Sequence, residues 1–265
     1  MKIITIVVVA VFWSLFLGSA ARADEVVKIG AGYALLNKPE RPRASVILVP
    51  GGDGYLGIGA NGRVSAQERS TLVRNRKALV ANGLATLLID AKIGVGQAAV
   101  YMKDVAQPIV IVAISRGGNR ISEIIQARPS GIVLISAELD NVRRLITPQS
   151  LPQTLIIHHQ NDNCHSTPAR IVEPFREWSR GRARVIWVSG GKEIGNPCYG
   201  ESYHGLLGRD DVLNSAVASF AVDLPSTTPA ATNPVSNSSG LIKDAKGPSP
   251  KSIKSGGMSC RYKAC

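Results

Sequence analysis

Aromatic residues make up only 5% of the 265-residue chain, too few to lay out stacking platforms for bases or sugar rings. No internal repeat and no nucleic-acid-binding motif is present, which excludes repeat architectures and the common modules that read DNA or RNA. Four cysteines are too few for a small disulfide scaffold. Beyond the N-terminus no apolar run approaches the roughly 20 residues of a membrane span. What the chain does have is a 45% hydrophobic composition with 19% charged residues, which excludes a wholly disordered polymer.

The two ends differ from the middle. Lys2 precedes an apolar run from Ile3 to Leu17, and Ala21-Arg22-Ala23 supplies small residues at the spacing of a cleavage site. Residues 1–23 therefore read as a signal peptide, with an uncleaved anchor as the alternative, and the mature chain is expected to be periplasmic or secreted. Residues 225–265 are rich in Pro, Ser, Thr, Ala, Gly, Asn and Lys and read as a disordered tail. Six cations against Asp244 give that tail a net +5, and Lys2 and Arg22 carry a further +2 of the overall +12. The body, residues 24–224, keeps only +5. Such a tail suits an anionic envelope surface, and equally well no partner at all.

Six short, fully apolar runs recur in the body: 45–49, 85–89, 109–113, 131–135, 154–157 and 184–188. Strands apolar on both sides belong to a mainly parallel sheet covered on each face by helices. Helix signals lie between them. Ser65-Ala66-Gln67-Glu68 has the form of a capping box, with Gly83 closing that helix. Thr167-Pro168 reads as an N-cap and first position ahead of Ile171, Val172, Phe175 and Trp178. Asp210 and Asp211 open a last helix. The expectation is a doubly wound α/β fold of about six core strands in three layers, α/β/α. In such a fold the site lies beyond the carboxyl ends of the strands.

Four of those ends carry candidate chemistry. The first core strand is followed by Pro50-Gly51-Gly52-Asp53-Gly54. The third runs into Ala113-Ile114-Ser115-Arg116-Gly117 and then at once into a helical pattern. This resembles the nucleophile elbow G-x-S-x-G, with alanine in the first glycine place, where the strained serine backbone demands a small neighbour. The fifth is followed by His158-His159-Gln160-Asn161-Asp162-Asn163-Cys164-His165. Beyond the sixth come Cys198-Tyr199-Gly200-Glu201-Ser202-Tyr203-His204-Gly205. Ser115, Asp162 and His204 thus stand in the order Ser…Asp…His, each past its own strand. In this arrangement the body, from about Ala44 to Phe220, resembles the α/β-hydrolase family.

The resemblance implies a Ser115–His204–Asp162 triad that forms an acyl-enzyme, with the backbone N–H groups of Gly52 and Arg116 as the oxyanion hole. Asp53 is the other candidate for the second donor, and Glu138 or Asp140 for the acid; Asp90 reads as structural. If the acid and base loops meet, Cys164 and Cys198 come close enough for a disulfide. His158, His159 and His165 crowd Asp162 and raise a metal reading with Cys164. Against it, His158 and His159 are adjacent on a strand and point to opposite faces. No cofactor or metal is implied. The strand connections, only about 18 residues long, leave no room for a lid domain. The expected activity is a carboxylesterase-like serine hydrolase acting on small, short-acyl or polymer-borne esters, with no nucleic-acid partner. An acyltransferase, a peptidase or a non-catalytic binding protein on the same fold are the alternatives. Tyr55, Tyr101, Glu201 and Tyr203 are candidates for the mouth. The pairing of Cys260 and Cys265 is open.

Overall fold

The structure is a computed structural model, and it describes residues 24–225. The expected signal peptide and tail, with Cys260 and Cys265, lie outside the described residues.

Eight strands form one sheet: β1 (Glu25–Ile29), β2 (Gly32–Asn37), β3 (Ala44–Val49), β4 (Leu84–Leu88), β5 (Ile109–Ile114), β6 (Gly131–Ile135), β7 (Thr154–His159) and β8 (Ala183–Val188). Their order is β1-β2-β4-β3-β5-β6-β7-β8. The six strands β3 to β8 are mutually parallel and coincide with the six apolar runs. The hairpin β1–β2 is an antiparallel addition at the β4 edge, Leu35 facing Leu88.

Burial follows the two-residue period of a strand. Val46 and Leu48 of β3 join one apolar cluster, Ile47 and Val49 the other. The first face is covered by α1 (Thr71–Ala81) and α6 (Asp210–Asp223), through Leu72, Leu79, Leu213, Val217 and Phe220. The second is covered by α2 (Val95–Met102), α3 (Ile121–Gln126), α4 (Leu139–Leu145) and α5 (Val172–Trp178), with Ala98, Ile124, Val142 and Phe175 turned inward. Both faces are therefore dry. That explains why β3 to β7 are buried along their whole length, while the outermost β8 is partly open.

Two expected helix starts lie elsewhere. The Ser65 hydroxyl donates to the Gly57 carbonyl within a loop, and α1 begins six residues later, after Ser70. Gly83, at φ +85°, does follow its end. Thr167 caps nothing: Pro168 precedes a short 3-10 turn, and α5 starts at Val172. Between β6 and β7 lie only α4 and one further short turn.

From β3 the chain steps to β4 on one side and then to β5 on the other. The carboxyl ends of β3 and β5 therefore flank the switch point of the sheet, the natural crevice of a doubly wound fold.

Candidate active site

Ser115 directly follows β5 and sits at the apex of a tight turn into a 3-10 segment. Its φ is +53°, a left-handed conformation that costs a non-glycine residue of order 1–3 kcal/mol and is held by surroundings that fix it. Those surroundings are glycines. A Cβ on Gly117 would stand 2.6 Å from the Pro50 carbonyl oxygen and 2.7 Å from that of Val49. A Cβ on Gly51 would stand 3.0 Å from the Ser115 Cβ. The β5 turn and the loop after β3 can approach this closely only because both positions lack side chains. Ala113, fully buried, pairs with Val49 and Leu134 just below.

Asp162 lies three residues past β7 and is 3% exposed. Its Oδ1 accepts the Cys164 N–H at 2.9 Å. Its Oδ2 is 3.1 Å from Thr167 Oγ1 and 3.1 Å from His204 Nδ1. A carboxylate only accepts, so Nδ1 of His204 carries the proton and Nε2 keeps its lone pair. His204 is 3% exposed, and its loop is gripped from α1. Thr71 Oγ1 donates to the Gly205 carbonyl at 2.9 Å. The Arg74 guanidinium donates to the Gly200 and Gly205 carbonyls and pairs with Asp210. Cys164 and Cys198 are joined by a disulfide, with Cα atoms 4.6 Å apart. It ties the loop that carries Asp162 to the segment leading to His204.

His158 lies behind the carboxylate. Its Nε2–H donates to the Thr167 carbonyl at 2.9 Å and lies 3.4 Å from Asp162 Oδ2. Burial holds this imidazole down at about 4, against the pull of the Asp162 carboxylate, so it is neutral at pH 7. His159 points away. It accepts from the Asn161 N–H, bonds the Gly190 carbonyl at 2.7 Å and stacks on Tyr203. Cys164, His165 and Cys198 bring possible metal-ligating atoms within 4.8 Å of one another. The two sulfurs are bonded to each other, however, and a disulfide offers no thiolate.

Ser115, His204, Gly51, Gly52 and Arg116 all line one cleft of about 680 Å³. The segment 67–71 forms one lip and 198–201 another, and an Arg69–Glu201 ion pair spans them. Among the described residues no hydrogen bond joins the Ser115 hydroxyl to His204.

No protein-family model matches the chain, and no curated protein matches its sequence. Solved structures do match. A dienelactone hydrolase from Anabaena variabilis is 16% identical at a TM-score of 0.51, covering 76% of this chain and 94% of its own. An alpha-beta serine hydrolase homologue from Coxiella burnetii is 15% identical at 0.52, covering 76% and 98%. Carboxyl esterase 2 from the fungus Tuber melanosporum is 15% identical at 0.54, covering 78% and 89%. The chain has the α/β-hydrolase fold.

Within that fold, the other acid candidates are engaged by partners other than His204. Glu138 accepts from Asn119 and Asn141 and faces Arg116 at 3.5 Å, and Asp140 pairs with Arg143. Asp90 accepts the N–H groups of Leu56, Gly57 and Ile58 and so anchors the loop after β3. Asp53 is off the cleft wall, its carboxylate accepting the Tyr55 N–H. Of the four expected mouth residues only Glu201 lines the cleft. Tyr101 packs on the apolar cluster beneath α2, Tyr203 lies flat on His159, and Tyr55 is exposed outside the cleft. The exposed Tyr199, unremarked in the sequence, lines it instead. Thr167, Arg74 and His158 are the other residues that sequence reasoning left without a role here. Arg74 acts on carbonyls 126 and 131 positions away and Thr167 on His204, 37 away. His158 and Thr167 also bond within their own loop, where the local patterns pointed to a metal reading and a helix cap instead.

Proposed function

We propose that the protein is an exported serine hydrolase that cleaves small or short-acyl esters through an acyl-enzyme on Ser115. The observation carrying this reading is the buried Asp162–His204 hydrogen bond at 3.1 Å, with His204 lining the cleft into which the Ser115 turn opens. Ser115 Oγ attacks the ester carbonyl carbon, and its proton passes to Nε2 of His204. The imidazolium, held by Asp162, returns that proton to the leaving alcohol as the C–O bond breaks. The N–H groups of Arg116 and Gly52 are assigned to the oxyanion, where each donor is worth about 2.7–4 kcal/mol. Water, activated by the same imidazole, then releases the acid.

A cleft of about 680 Å³ falls within the usual range of small-ligand sites, about 300–1,000 Å³. Its rim is polar and charged, and no domain is inserted after β6 to bury a long acyl chain. Both features favour small or polymer-borne esters. Export is supported by the N-terminal sequence and by a disulfide, which persists in oxidising compartments.

The test is a fluorophosphonate label with p-nitrophenyl acetate turnover on the oxidised protein beside Ser115→Ala and His204→Ala. Labelling should vanish in the first variant, and turnover should fall at least about a thousandfold in both. A folded wild-type protein that neither labels nor turns over would sink the reading.

A further inference from the structure

We propose that Thr167 is a positioning residue of this site, its side-chain hydroxyl bridging the acid and the base. The inference rests on the hydrolase reading above and names a member of the site that the Ser–His–Asp pattern does not contain. Thr167 Oγ1 is fully buried, 2.9 Å from His204 Nδ1 and 3.1 Å from Asp162 Oδ2. The hydroxyl has a single proton, and its two neighbours fix where it points. The carboxylate can only accept, so the Thr167 proton goes to Asp162 Oδ2. Nδ1 of His204 carries its own proton, as its 3.1 Å contact with the same carboxylate oxygen requires. That N–H is therefore shared between the Thr167 oxygen and Asp162, and the threonine contact is the shorter of the two.

The consequence is geometric. A ring held by one carboxylate oxygen can pivot about that contact. A ring whose Nδ1–H points between two fixed acceptors cannot, and its Nε2 stays aimed at the cleft. The threonine is itself fixed at its other end. Its carbonyl accepts the His158 Nε2–H at 2.9 Å, and its backbone N–H donates to the Cys164 carbonyl. The disulfide of Cys164 then reaches the segment before His204. Asp162, Thr167, His158 and Cys164 thus form one closed polar unit around the base. Thr167 is not on the cleft wall, so it touches no substrate and acts only through His204.

Thr167→Val, close in shape but without the hydroxyl, is compared with Thr167→Ser, which restores it, and Thr167→Ala, which removes it without added bulk. Readouts are p-nitrophenyl acetate kinetics, the rate of fluorophosphonate labelling, and the low-field ring N–H proton resonance of His204. Valine and alanine should each lower kcat and the labelling rate about ten- to hundredfold, leave KM within about twofold, and broaden or move the His204 resonance. Serine should recover most of the wild-type rate and resonance. The inference is overturned if folded Thr167→Val or Thr167→Ala labels as fast as wild type. It is also overturned if serine fails to rescue, or if valine and alanine both unfold while serine does not, since the role is then structural. A wild-type protein that does not label defeats the hydrolase reading first; wild-type labelling lost in Ser115→Ala but retained in Thr167→Val defeats this inference alone.

Discussion

The turn that presents Ser115 and the loop that presents Asp162 are held in place by different forces. Around Ser115 the control is steric. Missing side chains at Gly117 and Gly51 let two backbones meet, and the serine conformation at φ +53° is a consequence of that contact. Around Asp162 the control is polar and covalent. Three donors surround one carboxylate, a buried neutral imidazole braces the loop from behind, and a disulfide closes it. A nucleophile needs one exposed atom at a fixed point, which a rigid backbone turn supplies. An acid–base pair needs a defined proton position, which only directional hydrogen bonds can set.

The largest expected effect falls on the polar side. Replacing both Cys164 and Cys198 by alanine opens a 34-residue loop and should cost about 3–4 kcal/mol, read as a lower urea midpoint. Labelling of Ser115 should weaken with it, although the serine turn itself is untouched.

A slightly smaller effect comes from His158. Its folded-state titration, at about 4, lies below the unstructured value of 6.5, so the unfolded chain takes up a proton before the native protein does. The His158 contribution is therefore complete above about pH 6.5 and is lost as pH falls towards 4. Each pH unit in that window is worth about 1.4 kcal/mol, which caps the loss at about 3.5 kcal/mol, reached only at the acid end. In denaturation midpoints measured between pH 7 and 4, His158→Gln should flatten this slope. A variant as steep as wild type would remove His158 from the account.

On the steric side, Gly117→Ala should destabilise by about 1–3 kcal/mol and slow labelling, because the new methyl group must push β5 away from the Pro50 turn. A Gly117→Ala variant as stable as wild type would mean that the close approach is not what sets the turn. The smallest effect is expected on the rim. The Arg69–Glu201 pair is exposed, and Arg69→Ala should change the unfolding free energy from urea denaturation by less than about 1 kcal/mol. Any larger change would show that the lips of the cleft carry fold stability.

The same contrast governs what the sequence made legible. Steric demands fix residue size at short, regular spacing, so the Ala113–Ser115–Gly117 turn and the strands β3 to β8 could be read directly. The hairpin β1–β2 could not, because its residues are mixed in polarity and only its pairing with β4 gives it a buried face. Hydrogen bonding works over any chain separation. Thr167 looked like a helix cap because Thr-Pro often is one, yet its hydroxyl serves His204, 37 positions away. Ser65 misled in the same manner, its hydroxyl being engaged by Gly57. Arg74 carries no signal in the sequence, yet its guanidinium holds the Gly200 and Gly205 carbonyls of the loop that carries His204.

If these two differently built regions serve one nucleophile, peptide mapping by mass spectrometry will find it. Oxidised wild-type protein and Asp162→Ala are treated with a fluorophosphonate for equal short times, digested, and searched for the adduct. A single phosphonylated site is expected, Ser115, with its occupancy strongly reduced in Asp162→Ala. An adduct on a different residue, or equal occupancy of Ser115 in both proteins, would contradict it.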